Sequence, residues 1–397
     1  MKIAIVYDCL FPNTVGGAER WYRNLAERLG GRHTVTYLTR RQWDEEGPRT
    51  SFETLPVAPR SNLYTASGRR RIWPPLRFGL GVFGHLLRHG RRYDAVHCAS
   101  FPYFSLLGAG LALRLNGSRA RLIVDWHELW SREYWRSYLG ALGGRIGWAV
   151  QSLCLRLPDQ SFTFSRLVEG RLRALGARAP IVRLTGEYVS DGERGAEPAP
   201  SSPQGPPVIL SAGRHIPEKR VPLIPAAVAI ARQSAPELRC VILGDGPDRE
   251  ATAATVRELG LDSVIEMPGS VSLAEVSARM SAAACLLHPS EREGYGLVVV
   301  ESVSRGTPAV VVKGSENAAT ELVEDGVNGF VAAAAEPREL AAAIVRAISG
   351  GDELRRSTLA WYERHAEELS IESSLDTVED AYRAVVPEPA LSAQARS

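Results

Sequence analysis

A chain of 397 residues exceeds what one hydrophobic core usually holds and points to two domains of roughly 180 residues each. Its 47 basic residues nearly balance 45 acidic ones, which argues against a nucleic-acid-binding protein. The five cysteines (Cys9, Cys98, Cys154, Cys240, Cys285) are scattered, odd in number and free of CxxC spacing, so neither a disulfide framework nor a zinc site organises the fold, and a reduced, cytoplasmic setting fits.

The N-terminus runs straight into the strand-like KIAIVYD, without a basic-then-apolar leader pattern, and then into the helical GGAERWYRNLAERLG. HTVTYLT, YDAVHCAS, RLIVDWHE and QSFTFS follow as strands, each trailed by a longer amphipathic or loop segment. Strands alternating with helices predict a parallel sheet with crossover helices. The uncharged run from Ala95 to Leu113 is long enough to span a bilayer, but His97, Pro102 and its serine and glycine breaks mark it as strand, loop and helix. Residues 69–92 hold seven arginines among Trp73, Phe78, Leu86 and Leu87. That pattern is compatible with weak peripheral docking on an anionic membrane at its cytoplasmic face, and equally with a solvated basic face.

After IVRLTGEYVS the composition shifts to DGERGAEPAPSSPQGPP, residues 191–207, which reads as a Pro/Ser/Gly-rich linker. A second alternating series begins with VILSAG (208–213) and continues through LRCVILGDG (238–246), SVIEMPGS (263–270), ACLLHPS (284–290) and PAVVV (308–312). The expected layout is an N-terminal α/β domain over 1–190 and a second over 208–365. A helix over 366–386 is expected to pack back on the first domain, ahead of a disordered tail at 387–397. In doubly wound sheets ligands bind outside the carboxyl ends of the strands, which is where each polar motif below falls.

SAGRHIPEKR places Arg214 and Lys219 just beyond Gly213, a spacing that suits a clamp on a diphosphate or a solvated basic loop. Only three basic residues are lysines (Lys2, Lys219, Lys313), so Lys219 is not generic surface filler. VILGDGP ends a strand with Gly244 and Gly246, which permits close approach of a ligand but serves a tight turn as well. EREGYGLVVVE sets Glu293 and Glu301 eight positions apart, about 80° around a helix, so they do not form a simple acid/base pair. If Gly294 to Gly296 open a helix, free N–H groups there form an anion site beside Glu293, with Glu301 two turns on. The three valines between them favour strand by propensity.

In order, GRHIPEK, LGDGP, PGSVS, HPSEREGYGLVVVE and ELVEDGVNGFV resemble the donor domain of retaining glycosyltransferases of family 4, and VGGAER and VDWHELW resemble its N-terminal half. The resemblance covers nearly the whole chain and implies an α/β fold of the GT-B type, two facing Rossmann-like doubly wound domains around an interdomain cleft. It implies that Arg214 and Lys219 hold a nucleotide diphosphate, that Glu293 holds donor-sugar hydroxyls, and that Glu301 accepts from the ribose. The backbone of Tyr295, Gly296 and Leu297 would meet sugar and phosphate, and Ser270 and Val271 the base. Gly16 and Gly17 would let the first loop close over the phosphates, Gly213 and Gly244 belong to the donor loops, and His127 would sit by the sugar.

The implied reaction moves a hexose from a nucleoside diphosphate, UDP favoured over GDP, to a hydroxyl of a glycan, a lipid-linked or a small-molecule acceptor with the anomeric configuration retained. Positioning and charge stabilisation carry it, with no cofactor or metal required. Three positions depart from the family pattern: TGEY (Thr185 to Tyr188) replaces an Asn-Gly-Val-Asp-like turn, Arg220 replaces a glycine, and GSENAATE replaces Gly-Gly-x-Pro-Glu. The alternatives are a non-catalytic sugar-nucleotide-binding relative and, less well supported, a nicotinamide oxidoreductase, which lacks its G-x-G-x-x-G after the first strand. His97 reads as structural, and Trp126, Trp130, Trp135 and Trp148 suit helix packing or stacking of an acceptor.

Overall fold

The computed structural model describes residues 1–44, 47–63, 71–189 and 205–384. Most of the expected linker, the tail at 387–397, and Arg69 and Arg70 of the arginine-rich segment lie outside the described residues. In the first half the strands are β1 (Lys2–Val6), β2 (Thr34–Arg40), β3 (Glu53–Ala58), β4 (Ala95–Ala99), β5 (Arg121–Trp126), β6 (Gln160–Thr163) and β7 (Ile181–Arg183). They alternate with α1 (Gly17–Gly30), α2 (Trp73–His89), α3 (Tyr103–Leu115), α4 (Arg132–Cys154) and α5 (Arg166–Ala174).

In the second half the strands are β8 (Val208–Ala212), β9 (Arg239–Leu243), β10 (Ile265–Gly269), β11 (Cys285–His288), β12 (Arg292–Glu293), β13 (Ala309–Val312), β14 (Glu316–Asn317) and β15 (Gly329–Ala332). The helices are α6 (Ile224–Ala231), α7 (Arg249–Glu258), α8 (Leu273–Ser281), α9 (Leu297–Val303), α10 (Pro337–Leu369) and α11 (Ile371–Arg383).

The strands form two separate parallel sheets, ordered β3-β2-β1-β4-β5-β6-β7 and β10-β9-β8-β11-β13-β15, while β12 and β14 pair on their own. Both orders reverse at the first strand of the domain, which opens a crevice between β1 and β4 and another between β8 and β11. The protein is therefore a two-domain α/β molecule with two doubly wound parallel sheets. The uncharged run at 95–113 forms β4, a loop and most of α3, and among the described residues no helix is long and apolar enough to cross a membrane.

Local sequence explains the elements that carry the site. In α1 the spacing of Trp21, Tyr22, Leu25 and Leu29 puts all four on one stripe, and all four are fully buried. Ser131, Ser165 and Ser272 cap α4, α5 and α8 by accepting the backbone N–H three residues on. Helix α11 leaves the second domain and lies on the first, where Ile371, Leu375, Val378 and Tyr382 join the core with Ile3 and Trp21. Behind them His97 Nε2 donates to Asp125 Oδ1 at 2.6 Å, Trp21 Nε1 donates to Asp125 Oδ2 at 2.8 Å, and His97 Nδ1 lies 2.5 Å from the Tyr382 hydroxyl. His97 is thus a satisfied core residue that ties α11 to the first sheet. Trp126, Trp130 and Trp135 are buried in the first domain, so packing accounts for these three.

Candidate active site

The switch point of the second sheet gathers the basic loop and the glutamate loop. After β8 the chain passes Gly213 and exposed Arg214, then turns through a 3-10 segment, Pro217–Lys219. Gly244 packs its Cα against the carbonyl of Gly213, so the two glycine turns support each other. After β11 the chain pairs Arg292 and Glu293 with Glu316 and Asn317, and Asn317 Nδ2 donates to Ser290 O at 2.9 Å and Val312 O at 2.8 Å. This ladder fixes Glu293 on a short strand rather than on a helix. Helix α9 starts only at Leu297, with Gly296 as N-cap at φ 108°, where a side chain is strained. Val299, Val300 and Val303 are fully buried, and their packing overrides the strand preference of the valine run.

Glu293 accepts from the Lys219 ammonium and from His288 Nε2, the latter at 2.6 Å. Burial alone raises its pKa, but the charge of Lys219 and the contact with His288 outweigh that and hold the carboxyl far below the usual carboxylate range. Glu301 is engaged separately, by Arg20 of α1 in the other domain. The two glutamates therefore have different partners on different elements and do not form a pair. Ser270 and Val271 follow β10 at the same carboxyl edge, and Gly16 caps α1 with extended backbone ahead of Gly17.

His215, next to Arg214, is buried with both ring nitrogens unpartnered, and it lines a small cavity with Arg214, Lys219 and His288. Arg220 pairs with Glu291 at 2.6 Å, which gives it a partner on the neighbouring loop.

The first domain closes over this loop. Gly294 lies against the carbonyl oxygen of His127, so close that a Cβ at 294 would collide with it. The His127 ring stacks on Phe164 at 4.4 Å between centroids, meets Tyr22 edge-on at 5.7 Å, and sets Nδ1 3.4 Å from Glu187 Oε1. Arg292 reaches across to lie over Trp130 at 4.8 Å and Tyr134 at 4.4 Å, near Glu128 and Glu218. Burial disfavours its charge, yet Glu128 outweighs that and raises its pKa. Arg171 forks onto Glu316 at 2.7 and 2.6 Å, Glu321 accepts the Arg166 and Leu167 N–H groups at 2.8 Å, and Tyr295 Oη donates to Thr185 O at 2.8 Å. Thr185 and Tyr188 in turn bond the backbone around Leu369, so TGEY forms the hinge.

The structure thus brings Arg214, Lys219, Gly213, Gly244, Glu293, Tyr295, Gly296, Leu297 and Glu301 to one side of the cleft. It sets His127 against them from the other, with Gly16 and Gly17 at the start of the helix that carries Arg20. Sequence reasoning passed over Arg20, His288 and Glu187 as site residues. The first two stand inside the quoted motifs VGGAER and HPSEREGYG, so position in a motif was the available signal.

Comparison with known proteins agrees with the two-domain fold. The family described as "Glycosyltransferase Family 4" matches residues 15–184, and "Glycosyl transferases group 1" matches residues 195–360. A D-inositol 3-phosphate glycosyltransferase of Nocardioides sp. is 31% identical over 196 residues, 46% of this chain and 42% of the relative. The matched stretch thus spans less than half of that relative's length. Among solved structures, sucrose-phosphate synthase from Thermosynechococcus elongatus superposes with a TM-score of 0.75 at 19% identity over 97% of this chain and 98% of its own. Anabaena HepE in complex with UDP-glucose does so with a TM-score of 0.70 at 18% identity over 97% and 100%.

Proposed function

The chain belongs to the family 4, group 1 glycosyltransferases of the GT-B fold, and from that premise we propose that it transfers a hexose from a nucleoside diphosphate to an acceptor hydroxyl with retention of configuration. The observation that carries this reading is the cluster of Lys219, Glu293 and His288 beside Arg214 at the switch point of the second sheet. Two cations aimed at one crevice neutralise charge that develops on a departing diphosphate. A buried carboxylate held ionised accepts hydrogen bonds from sugar hydroxyls without becoming a proton acceptor itself. Glu301, paired directly with Arg20 of the first domain, marks the far end, where its carboxylate would accept from the ribose hydroxyls.

In the proposed reaction the bond from C1 to the phosphate oxygen breaks and a bond from C1 to the acceptor oxygen forms on the same face. The acceptor's proton goes to the departing phosphate. This chain's residues position and neutralise, with no side chain serving as nucleophile and no metal or cofactor required. UDP is the favoured nucleotide, a preference supported by HepE, which is described with UDP-glucose. Thermal-shift screening against UDP- and GDP-linked hexoses tests the reading: stabilisation by one base and one sugar supports it, and none by any member of the panel overturns it.

The acceptor side supports a lipid-linked or surface-bound substrate at the inner face of a membrane, a setting that keeps the enzyme cytoplasmic. Helices α2, α3 and α4 are neighbours, joined by the close approach of Gly79 to Phe104 and by Tyr103 Oη donating to Gln151 at 2.8 Å. Each carries an exposed apolar stripe: Trp73, Leu80 and Leu87; Leu111 and Leu115; and Leu142, Ile146 and Leu153. Residues 71–156 hold twelve arginines against four acidic residues, although the whole chain is nearly neutral. Apolar stripes among arginines complement an anionic bilayer, and α2 is the core of the 69–92 segment, although of the four apolar residues singled out there in the sequence Phe78 and Leu86 are fully buried against the first sheet and only Trp73 and Leu87 are exposed. Sedimentation with phosphatidylglycerol vesicles at low salt, absent with phosphatidylcholine, is the expected result. No sedimentation with either removes this part of the reading.

A further inference from the structure

We infer that Glu187 is a positioning residue for His127, holding the imidazole by Nδ1 so that Nε2–H is presented to the donor sugar as a charge-assisted hydrogen-bond donor. The inference rests on the reading of the cleft as a sugar-nucleotide site. It adds a role for the hinge turn TGEY, in which Glu187 is the one acidic residue.

The geometry is specific. Glu187 is 4% exposed and sits on the backbone turn that links the two domains, with Oε1 3.4 Å from His127 Nδ1, an ion-pair approach that leaves Oε1 without a closed hydrogen bond. Phe164 lies flat against one face of the ring and Tyr22 meets it edge-on, which holds the ring plane, and the Glu187 carboxylate on the Nδ1 side favours one of its two flipped orientations. The other nitrogen, Nε2, is buried and unpartnered, while the main chain of the same residue abuts Gly294 beside Glu293. A buried ring N–H without an acceptor is costly, and at this place a donor hydroxyl or phosphate oxygen would satisfy it.

The charges around the ring favour its protonated form. Burial opposes the imidazolium, but the Glu187 contact outweighs it, aided by Asp125 and Glu128 from its own segment, and the pKa is raised above the ordinary value. Tyr22 from α1 and Tyr295, whose hydroxyl is spoken for by Thr185, both titrate far above neutrality. The facing loop carries Arg292, held near Glu128, and Glu293, held by Lys219 and His288. The imidazolium therefore persists to higher pH with Glu187 than without it.

The test compares the full-length wild type with Glu187→Gln, which keeps the size and loses the charge, and Glu187→Asp, which keeps the charge. His127 is titrated by NMR of histidine-labelled protein, and affinities for UDP and UDP-glucose are measured by calorimetry. In Glu187→Gln the His127 pKa falls, UDP-glucose binds about tenfold more weakly and UDP binds as in wild type, because only the sugar meets Nε2. The alkaline limb of the pH–rate profile moves to lower pH, and Glu187→Asp recovers most of each effect. An unchanged His127 titration in Glu187→Gln overturns the inference, as does equal weakening of UDP and UDP-glucose. A shifted titration in a protein that binds neither UDP nor UDP-glucose leaves the Glu187–His127 pairing standing and overturns the donor reading instead.

Discussion

Replacing Lys219 by alanine removes one of the two cationic or donor groups that converge on Glu293, and the cost follows from how far the pair is from water. The side chains are 20% and 13% exposed. An exposed ion pair contributes about 0–1 kcal/mol, whereas breaking a fully buried one costs about 3–5 kcal/mol. The pair lies nearer the buried limit, but His288 remains as a partner for the carboxylate, so Lys219→Ala should destabilise by about 2 kcal/mol, roughly thirtyfold in the folding equilibrium. The sign with pH is fixed by the depressed Glu293 pKa. Its stabilisation is fully present above the unfolded carboxyl value of about 4.3 and is lost as pH falls toward the folded one. The gap between wild type and variant in urea unfolding is therefore widest at neutral pH and closes below about pH 4. Turnover falls by roughly a hundredfold or more if the same ammonium also neutralises the diphosphate. A gap between wild type and variant that is absent at neutral pH, or that does not narrow in acid, refutes the energetic argument, and near-normal nucleotide release removes Lys219 from the site.

Gly294→Ala places a methyl group against the His127 carbonyl, so closure is blocked: turnover should drop by about a hundredfold while UDP affinity, carried mainly by the second domain, falls far less. Equal loss of both shows that the second domain itself is damaged. Arg171→Ala cuts the bidentate link to Glu316 at the cleft mouth, and small-angle scattering should show a larger radius of gyration with only about 1 kcal/mol of lost stability. Arg355, 1% exposed, donates to Ala283 O at 2.6 Å and Ser281 O at 2.8 Å, so Arg355→Met strands two carbonyls and should cost about 2–3 kcal/mol in urea unfolding without touching UDP affinity.

Much of the fold was legible because buried parallel strands are apolar runs and the motifs fall at their carboxyl ends. Strand β3 escaped notice because Pro56 interrupts ETLPVA; it is tolerated there since β3 is an edge strand. The valine run of α9 was ambiguous by propensity alone, and only the burial of Val299 and Val300 decides it. In the site, Glu293 and Glu301 do not pair, but no helical angle separates them, since Glu293 lies on β12 and only Glu301 on α9, and spacing gave no partner for either. Arg20 meets Glu301 across 281 positions and Glu187, on the turn at the end of the first domain, meets His127 of the same domain, contacts that no local period encodes. His288 stood inside the motif HPSEREGYG, but only the fold shows it bonded to Glu293. The GSENAATE segment became readable only in three dimensions, where Glu316 locks onto Arg171 and Asn317 ties the loops after β11 and β13.

The central claim is hexose transfer from a nucleoside diphosphate with retention. The most direct measurement is proton NMR of the full-length protein incubated with a sugar nucleotide selected by thermal shift and a panel of hydroxyl acceptors. The expected result is one released nucleotide for each new glycosidic bond, with the product anomer matching the donor's. A product of inverted configuration, or nucleotide-sugar binding with neither nucleotide release nor transfer, would contradict it.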